Sequence, residues 1–255
     1  MASSQTQPSK PKIVSPAEWL EARKQLLAKE KEFTRQRDQL SRLRREMPWV
    51  KVEKDYVFDS PSGAQRLASL FGSRSQLIVY HFMLGPGWQE GCPSCSMIAD
   101  HFDGMAVHLN HRDVTLAVVS RAPLAGIQAF QQRLGWRFPW VSSFKNDFNH
   151  DYQVHATKEE IASGTAIYNY STHPFPGATE ERPGLSVFHK DAAGDIFHTY
   201  SAYARGLDIL LGVYNFLDLV PKGRDEQDLP YTMAWVRHHD RYASDYVPLP
   251  AAGKS

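Results

Sequence analysis

The chain has 255 residues, of which 42% are hydrophobic and 22% charged. That is enough to build a core in one large domain or two small ones, and an aromatic content of 12% excludes a disordered chain. The net charge of +1 gives no general reason to expect nucleic acid or an anionic membrane as a partner.

No apolar run in the sequence reaches the length of a membrane span. The best candidate, residues 206–220, is interrupted by Asp208 and Asp218. The first residues, MASSQTQPSKPKIV, lack the apolar core of a secretory signal. The chain has two cysteines, which cannot build a disulfide-dense secreted fold. These features predict a cytoplasmic protein without a membrane anchor.

Residues 1–48 are predicted to form a flexible tail followed by one long amphipathic helix. Ser15, Pro16 and Glu18 match the signals of a helix start, and Pro48 ends the helix. Apolar residues recur every seventh position, at Trp19, Leu26, Phe33, Leu40 and Met47. This face is expected to pack along its own domain, with a homodimer formed through the helix as the alternative. The arginines near its end are expected to be solvated and not to bind nucleic acid.

Residues 49–220 alternate between strand and helix patterns. The runs at 76–84 and 114–120 are continuously apolar, as in strands that are buried on both faces. Further strands are predicted at 56–58, 140–143, 185–190 and 195–200, and helices at 93–110, 123–134 and 207–219. An aromatic, polar insertion at about 144–182 precedes the final hairpin, and residues 221–255 are predicted to form an irregular tail.

This order of elements predicts an α/β domain with helices on both faces of the sheet, because parallel strands need right-handed crossover connections. In such sheets, functional sites collect outside the carboxyl ends of the strands.

The segment Gly91-Cys92-Pro93-Ser94-Cys95 follows the first buried strand and opens a helix. Pro93 suits the first helical position, which makes Cys92 the N-cap residue. Unpaired backbone N–H groups then favour the Cys92 thiolate, and a lowered pKa makes a thiol nucleophilic near neutral pH. Cys95 lies one turn later, in reach of a mixed disulfide on Cys92. We therefore predict that Cys92 is the attacking thiol and Cys95 the resolving thiol.

A Cys-x-x-Cys motif after a buried strand, with Pro183 before the last hairpin, resembles the thioredoxin superfamily. The whole chain is similar to the DUF899 family of thioredoxin-like proteins. The segments that carry this resemblance are YHFMLGPGWQEGCPSCS, FDGMAVHLNHRDVTLAVVSRAP, GWRFPWVSSFKNDFNHDYQV, RPGLSVFHKDAAGDIFHTYSAYARGLD and LDLVPKGRDE. The resemblance implies a three-layer α/β/α sandwich of the thioredoxin type, with an N-terminal helical extension and an insertion before the final hairpin.

The resemblance also implies a function, thiol–disulfide oxidoreduction. Pro183 is expected to be a cis-proline that receives the backbone of a disulfide-containing protein or small thiol substrate. The first Pro of Cys-Pro-Ser-Cys is similar to that of glutaredoxins and points to a reduction potential of about −200 to −230 mV. No organic cofactor is expected, and an unidentified reducing partner restores the dithiol.

Three further features belong to this predicted site. Arg121 follows the second buried strand, where its charge would stabilise a thiolate, and Trp88 precedes the Cys pair; both are assigned with Pro183 to substrate binding. The aromatic insertion is expected either to form a lid beside the Cys pair or to pack onto the domain. The residues concerned are His150, Tyr152, Tyr168, Tyr170, His173 and Phe175.

Three alternatives stay open. A peroxiredoxin would need Thr or Ser where Gln89 stands and Pro where Gly85 stands. A zinc site with His108 and His111 is disfavoured, because one helix would hold these histidines about 20 Å from Cys95. The third alternative is a thioredoxin-like scaffold that binds a partner without turnover.

Overall fold

The structure is a computed structural model that describes residues 11–172 and 179–242. The chain divides into two units, residues 1–48 and 49–255. The helices are α1 (Pro16–Glu46), α2 (Leu67–Leu70), α3 (Pro93–Ala99), α4 (Phe102–Asn110), α5 (Leu124–Arg133), α6 (Phe148–Asp151), α7 (Lys158–Ser163) and α8 (Gly212–Leu217), with 3-10 helices at Ala204–Leu210 and His239–Arg241. The strands are β1 (Val50–Lys51), β2 (Val57–Ser60), β3 (Gly63–Arg66), β4 (Gln76–His81), β5 (Val114–Ser120), β6 (Trp140–Ser142), β7 (Ile167–Tyr168), β8 (Ser171–Thr172), β9 (Gly184–Lys190) and β10 (Ile196–Tyr203).

Helix α1 begins as the sequence predicts. The Ser15 hydroxyl accepts the N–H of Glu18, the Glu18 carboxylate accepts the N–H of Ser15 at 3.0 Å, and Pro16 takes the first helical position. No residue of α1 is buried. Its seven-residue apolar series stays exposed, with Trp19 at 59% and Phe33 at 65% of full exposure.

The second unit is built on an eight-stranded sheet with the order β1-β10-β9-β4-β5-β6-β2-β3. Strands β4, β5 and β6 are parallel, and each other neighbouring pair is antiparallel. The crossover from β4 to β5 runs through α3 and α4, and the β9–β10 hairpin returns along the other side of β4. This order is that of a thioredoxin-like α/β fold, so the predicted fold class is confirmed.

The central strand β4 is buried on both faces, as its apolar sequence predicts. Tyr80 points into a core cluster that contains Phe102 and Ile127 and is covered by helices α3, α4 and α5. Leu77 and Val79 point into a second cluster on the opposite face, under the short helices α2 and α6. The alternation of side chains along a strand explains how one apolar run serves both layers.

Two predicted helices are divided. The predicted helix 93–110 breaks between α3 and α4. The N–H of Asp100 still bonds Ser96 O, four residues back in the chain, at 2.9 Å, but the N–H of His101 bonds Ile98 O, three residues back, at 3.2 Å. The predicted helix 207–219 is a 3-10 helix followed by α8. Strands β2 and β3 form a hairpin where the sequence analysis predicts only the strand at 56–58.

The insertion contains α6, α7 and the small β7–β8 hairpin. Phe148 of α6 is fully buried in the second cluster, and Tyr152 packs against it at 4.7 Å between ring centroids. His150 bonds Glu160 at 2.9 Å, and the Tyr170 hydroxyl donates to Ser201 O at 2.8 Å. Phe148, Tyr152 and Tyr170 thus hold the insertion on the domain, whereas the His150–Glu160 bond lies within the insertion. His173 and Phe175 of the predicted lid lie outside the described residues.

Candidate active site

The sheet brings three of the predicted site residues to one edge. His81, at the carboxyl end of β4, pairs with Val119 of the parallel β5 and with Gly184 at the start of the antiparallel β9. Cys92 follows β4, Arg121 follows β5, and Pro183 immediately precedes β9. All three therefore emerge at the same edge.

Cys92 caps helix α3, and Pro93 takes the first turn, as predicted. The preceding loop is held by the backbone bond from Cys92 N–H to Met83 O at 3.0 Å. Gly91 allows this path: a Cβ at that position would lie 2.4 Å from the Phe82 ring and 2.8 Å from the Phe130 ring. Only glycine fits between these rings without displacing the core, which fixes where Cys92 stands.

The two thiols have different environments. Both are free; Cys92 is half-buried and Cys95 is buried. The Cys95 thiol, followed by the N–H groups of Cys95 and Ser94, lowers the pKa of Cys92 against the opposing effect of burial, although these N–H groups form no regular capping hydrogen bond. Burial, reinforced by Cys92, raises the pKa of Cys95. The more accessible sulfur is therefore also the more acidic one.

Pro183 corrects one prediction. Between described residues, every peptide bond is trans, including the one from Arg182 to Pro183, so the expectation of a cis-proline is wrong. Pro183 is half-buried, and its carbonyl accepts a hydrogen bond from the Tyr168 hydroxyl at 2.8 Å. That hydroxyl also accepts the N–H of Ala204 at 2.9 Å. The start of strand β9 is thus held by Tyr168 of the insertion, and the peptide bond before Pro183 is trans.

Arg121 is held by a buried carboxylate. Its guanidinium donates to Glu181 Oε1 at 2.7 Å and contacts His155 Nδ1 at 2.5 Å, and Glu180 lies 3.8 Å away. Burial raises the pKa of Glu181 to about 7, although Arg121 opposes the rise, and burial followed by Arg121 lowers the pKa of His155 to about 4. Arg121 was predicted to stabilise a thiolate, but its charge faces this acid.

Glu181 is a site residue that the sequence reasoning missed. Its side chain is 3% exposed and lies over Gly85, where an added Cβ would be 3.1 Å from Glu181 Oε1 and 3.2 Å from Trp88 Nε1. Trp88 is half-buried and packs with Cys92 against the first core cluster. The predicted substrate residues Trp88 and Arg121 therefore both border Glu181. A Glu in a polar insertion gives no sequence signal of burial.

The C-terminal segment also contacts Glu90 and Gly91, the two residues before Cys92. The prediction of an irregular tail missed these contacts. His238 is buried and contacts Gly91 O through Nε2 at 2.8 Å. Glu90 binds Arg133 at 2.7 Å and Arg241 at 2.9 Å, so its carboxylate is neutralised on both sides. These contacts hold the residues just before Cys92.

Within residues 11–172 and 179–242, no group of three or more His, Cys, Asp and Glu side chains is arranged to hold a metal ion. None of the helices in the same residues is both long and apolar enough to cross a bilayer.

Among curated proteins, none matches the sequence. Similar solved structures include Peroxidoxin BcpB from Mycobacterium tuberculosis, at 13% identity over 65% of this chain and 94% of that chain, with a TM-score of 0.45. Another is a mutant of Xanthomonas campestris Peroxiredoxin Q, at 14% identity over 63% of this chain and 90% of that chain, with a TM-score of 0.42. The sequence matches the family described as "Bacterial protein of unknown function (DUF899)" over residues 8–242, and the chain therefore belongs to the DUF899 family.

Proposed function

We propose that the protein is a thiol–disulfide oxidoreductase that works through the Cys92–Cys95 dithiol. The observation that carries the proposal is the asymmetry of the pair: Cys92 is half-buried with a lowered pKa, and Cys95 is buried with a raised one. An accessible thiolate attacks a disulfide, and a shielded thiol one turn later is suited to resolve the product.

In the proposed reaction the Cys92 thiolate attacks one sulfur of a substrate disulfide. The Cys92–substrate bond forms while the substrate bond breaks, and the first thiol leaves with the bonding electron pair. Cys95 then loses its proton and attacks the Cys92 sulfur. The internal disulfide forms, and the second substrate sulfur leaves and takes up a proton. The substrate gains two electrons and the protein loses two.

The substrate is proposed to be a disulfide-containing protein or a small disulfide. Trp88 packs beside Cys92, and Arg121 binds Glu181, which lies over Gly85 of the loop that leads to Cys92; these two side chains are the proposed contacts for the substrate. The trans bond before Pro183 removes the argument for backbone docking at that proline. A thiol reductant, either a partner protein or a small thiol, must reduce the internal disulfide after each turnover. We place this cycle in the cytoplasm, where thiols are kept reduced.

A turnover assay tests this proposal. With a dithiol reductant and a small aromatic disulfide, the protein should release many aromatic thiols per protein molecule above the uncatalysed rate. Cys92→Ser should remove this excess, because the remaining thiol is shielded and weakly acidic. Stoichiometric release without turnover would favour the binding scaffold. Turnover with hydroperoxides alone would favour the peroxidase alternative.

A further inference from the structure

The Tyr80 hydroxyl is a buried polar group that the proposed reaction has not used. Tyr80 lies on β4, is fully buried, and belongs to the same core cluster as Cys95. Among the described residues, its hydroxyl has no hydrogen-bond partner of regular geometry. A buried polar atom without a partner costs free energy, so its retention needs an explanation.

The surroundings of Tyr80 point to the Cys95 sulfur. Burial raises the pKa of Tyr80 well above its usual value, and the Cys95 sulfur is the ionisable group that adds most to this rise. The hydroxyl therefore stays protonated and is a hydrogen-bond donor at every physiological pH. In the other direction, the Tyr80 hydroxyl and the backbone N–H of Met83 lower the pKa of Cys95, against the larger opposite effects of burial and of Cys92.

We propose that Tyr80 is a positioning residue whose hydroxyl donates a hydrogen bond to the Cys95 thiolate when that sulfur attacks the mixed disulfide on Cys92. This inference rests on the proposed function and assigns a residue to its second step. The proton that Cys95 releases goes to the departing substrate thiolate; Tyr80 keeps its own proton. The donor is idle while Cys95 is a thiol and acts only when negative charge appears in a site that excludes water, where such a donor is most effective.

Tyr80→Phe removes this donor and nothing else. The hydroxyl has no regular hydrogen bond to lose, so the variant is expected to keep the thermal stability of the wild type. The matched control is Tyr214→Phe, which removes the hydroxyl of a buried tyrosine in the same cluster whose partner is Glu226.

A single-turnover experiment with excess small aromatic disulfide separates the two chemical steps. The first thiol is released when Cys92 attacks and the second when Cys95 resolves. In Tyr80→Phe the first phase should be unchanged and the second about tenfold to a hundredfold slower, as for a lost hydrogen bond to a charged group. The pH profile of the second phase should move to higher pH, and Tyr214→Phe should change neither phase. Equal slowing of both phases, or no slowing, would overturn the role.

A second measurement does not depend on turnover. In the Cys92→Ser background, the pH dependence of the rate of iodoacetamide alkylation, followed by mass spectrometry, reports the thiolate of Cys95 alone. Adding Tyr80→Phe should lower the thiolate fraction at a fixed alkaline pH about tenfold, and an unchanged titration would overturn the inference. If the wild type releases no second thiol, the proposed function fails, while this titration still decides whether Tyr80 acts on Cys95.

Discussion

Cys95→Ser is expected to accumulate a stable mixed disulfide on Cys92, whereas Cys92→Ser is expected to trap nothing. In Cys95→Ser the accessible sulfur still attacks, but no thiol is present to release the product. In Cys92→Ser the remaining thiol is buried and its pKa is raised, so it is both unavailable and un-ionised near neutral pH.

The measurement is to reduce each variant, add an oxidised small disulfide, and weigh the intact protein by mass spectrometry. The wild type serves as the control and should end as the internal disulfide without an adduct. An adduct on Cys95 in Cys92→Ser, together with none in Cys95→Ser, would reverse the two roles.

Arg121→Met is expected to lower the free energy of unfolding by about 1.4 kcal/mol at pH 8, because Glu181, which is ionised at that pH beside Arg121, must take up a proton when it loses this partner. The loss should become small at pH 5. Glu181 is shielded from water, so a missing cation cannot be replaced by solvent. Urea unfolding at the two pH values measures the difference.

The sign of this pH dependence follows from proton binding. In the wild type the pKa of Glu181 is raised to about 7, above its unfolded value of about 4.3, so the folded state binds the extra proton between these values. Stability therefore falls as pH rises through this window. Without Arg121 the pKa of Glu181 in the folded state rises further. The free energy of unfolding therefore falls more at high pH and stays nearly unchanged at low pH. The double variant with Glu181→Gln should recover most of the loss; a deficit that is equal at both pH values would contradict the account.

Much of the domain could be predicted from the sequence because its signals are local. The apolar run of β4 reports burial on both faces, and the capping pattern of Ser15 and Glu18 reports a helix start. The placement of Cys92 before Pro93 likewise follows from the preference of proline for the first helical turn. These features depend on residues that are close together in the chain, so the sequence alone is enough to predict them.

The parts of the site that could not be predicted depend on contacts between distant segments. Glu181 is buried because Arg121, sixty positions away, neutralises it. His238 reaches the carbonyl of Gly91 across 147 positions, and nothing in the C-terminal sequence indicates that contact. At Pro183 the resemblance itself gave the wrong prediction. It implied a cis peptide bond, but the bond before Pro183 is trans, and the Tyr168 hydroxyl holds the Pro183 carbonyl at the start of β9.

The central claim is that Cys92 and Cys95 form one redox couple. Its most direct test is equilibration of the wild type in glutathione buffers of graded potential, followed by alkylation of free thiols and mass measurement. The account predicts that both thiols disappear together in a single two-electron transition, with a midpoint of about −200 to −230 mV. Separate loss of the two thiols as glutathione adducts, or retention of both thiols in the most oxidising buffer, would contradict it.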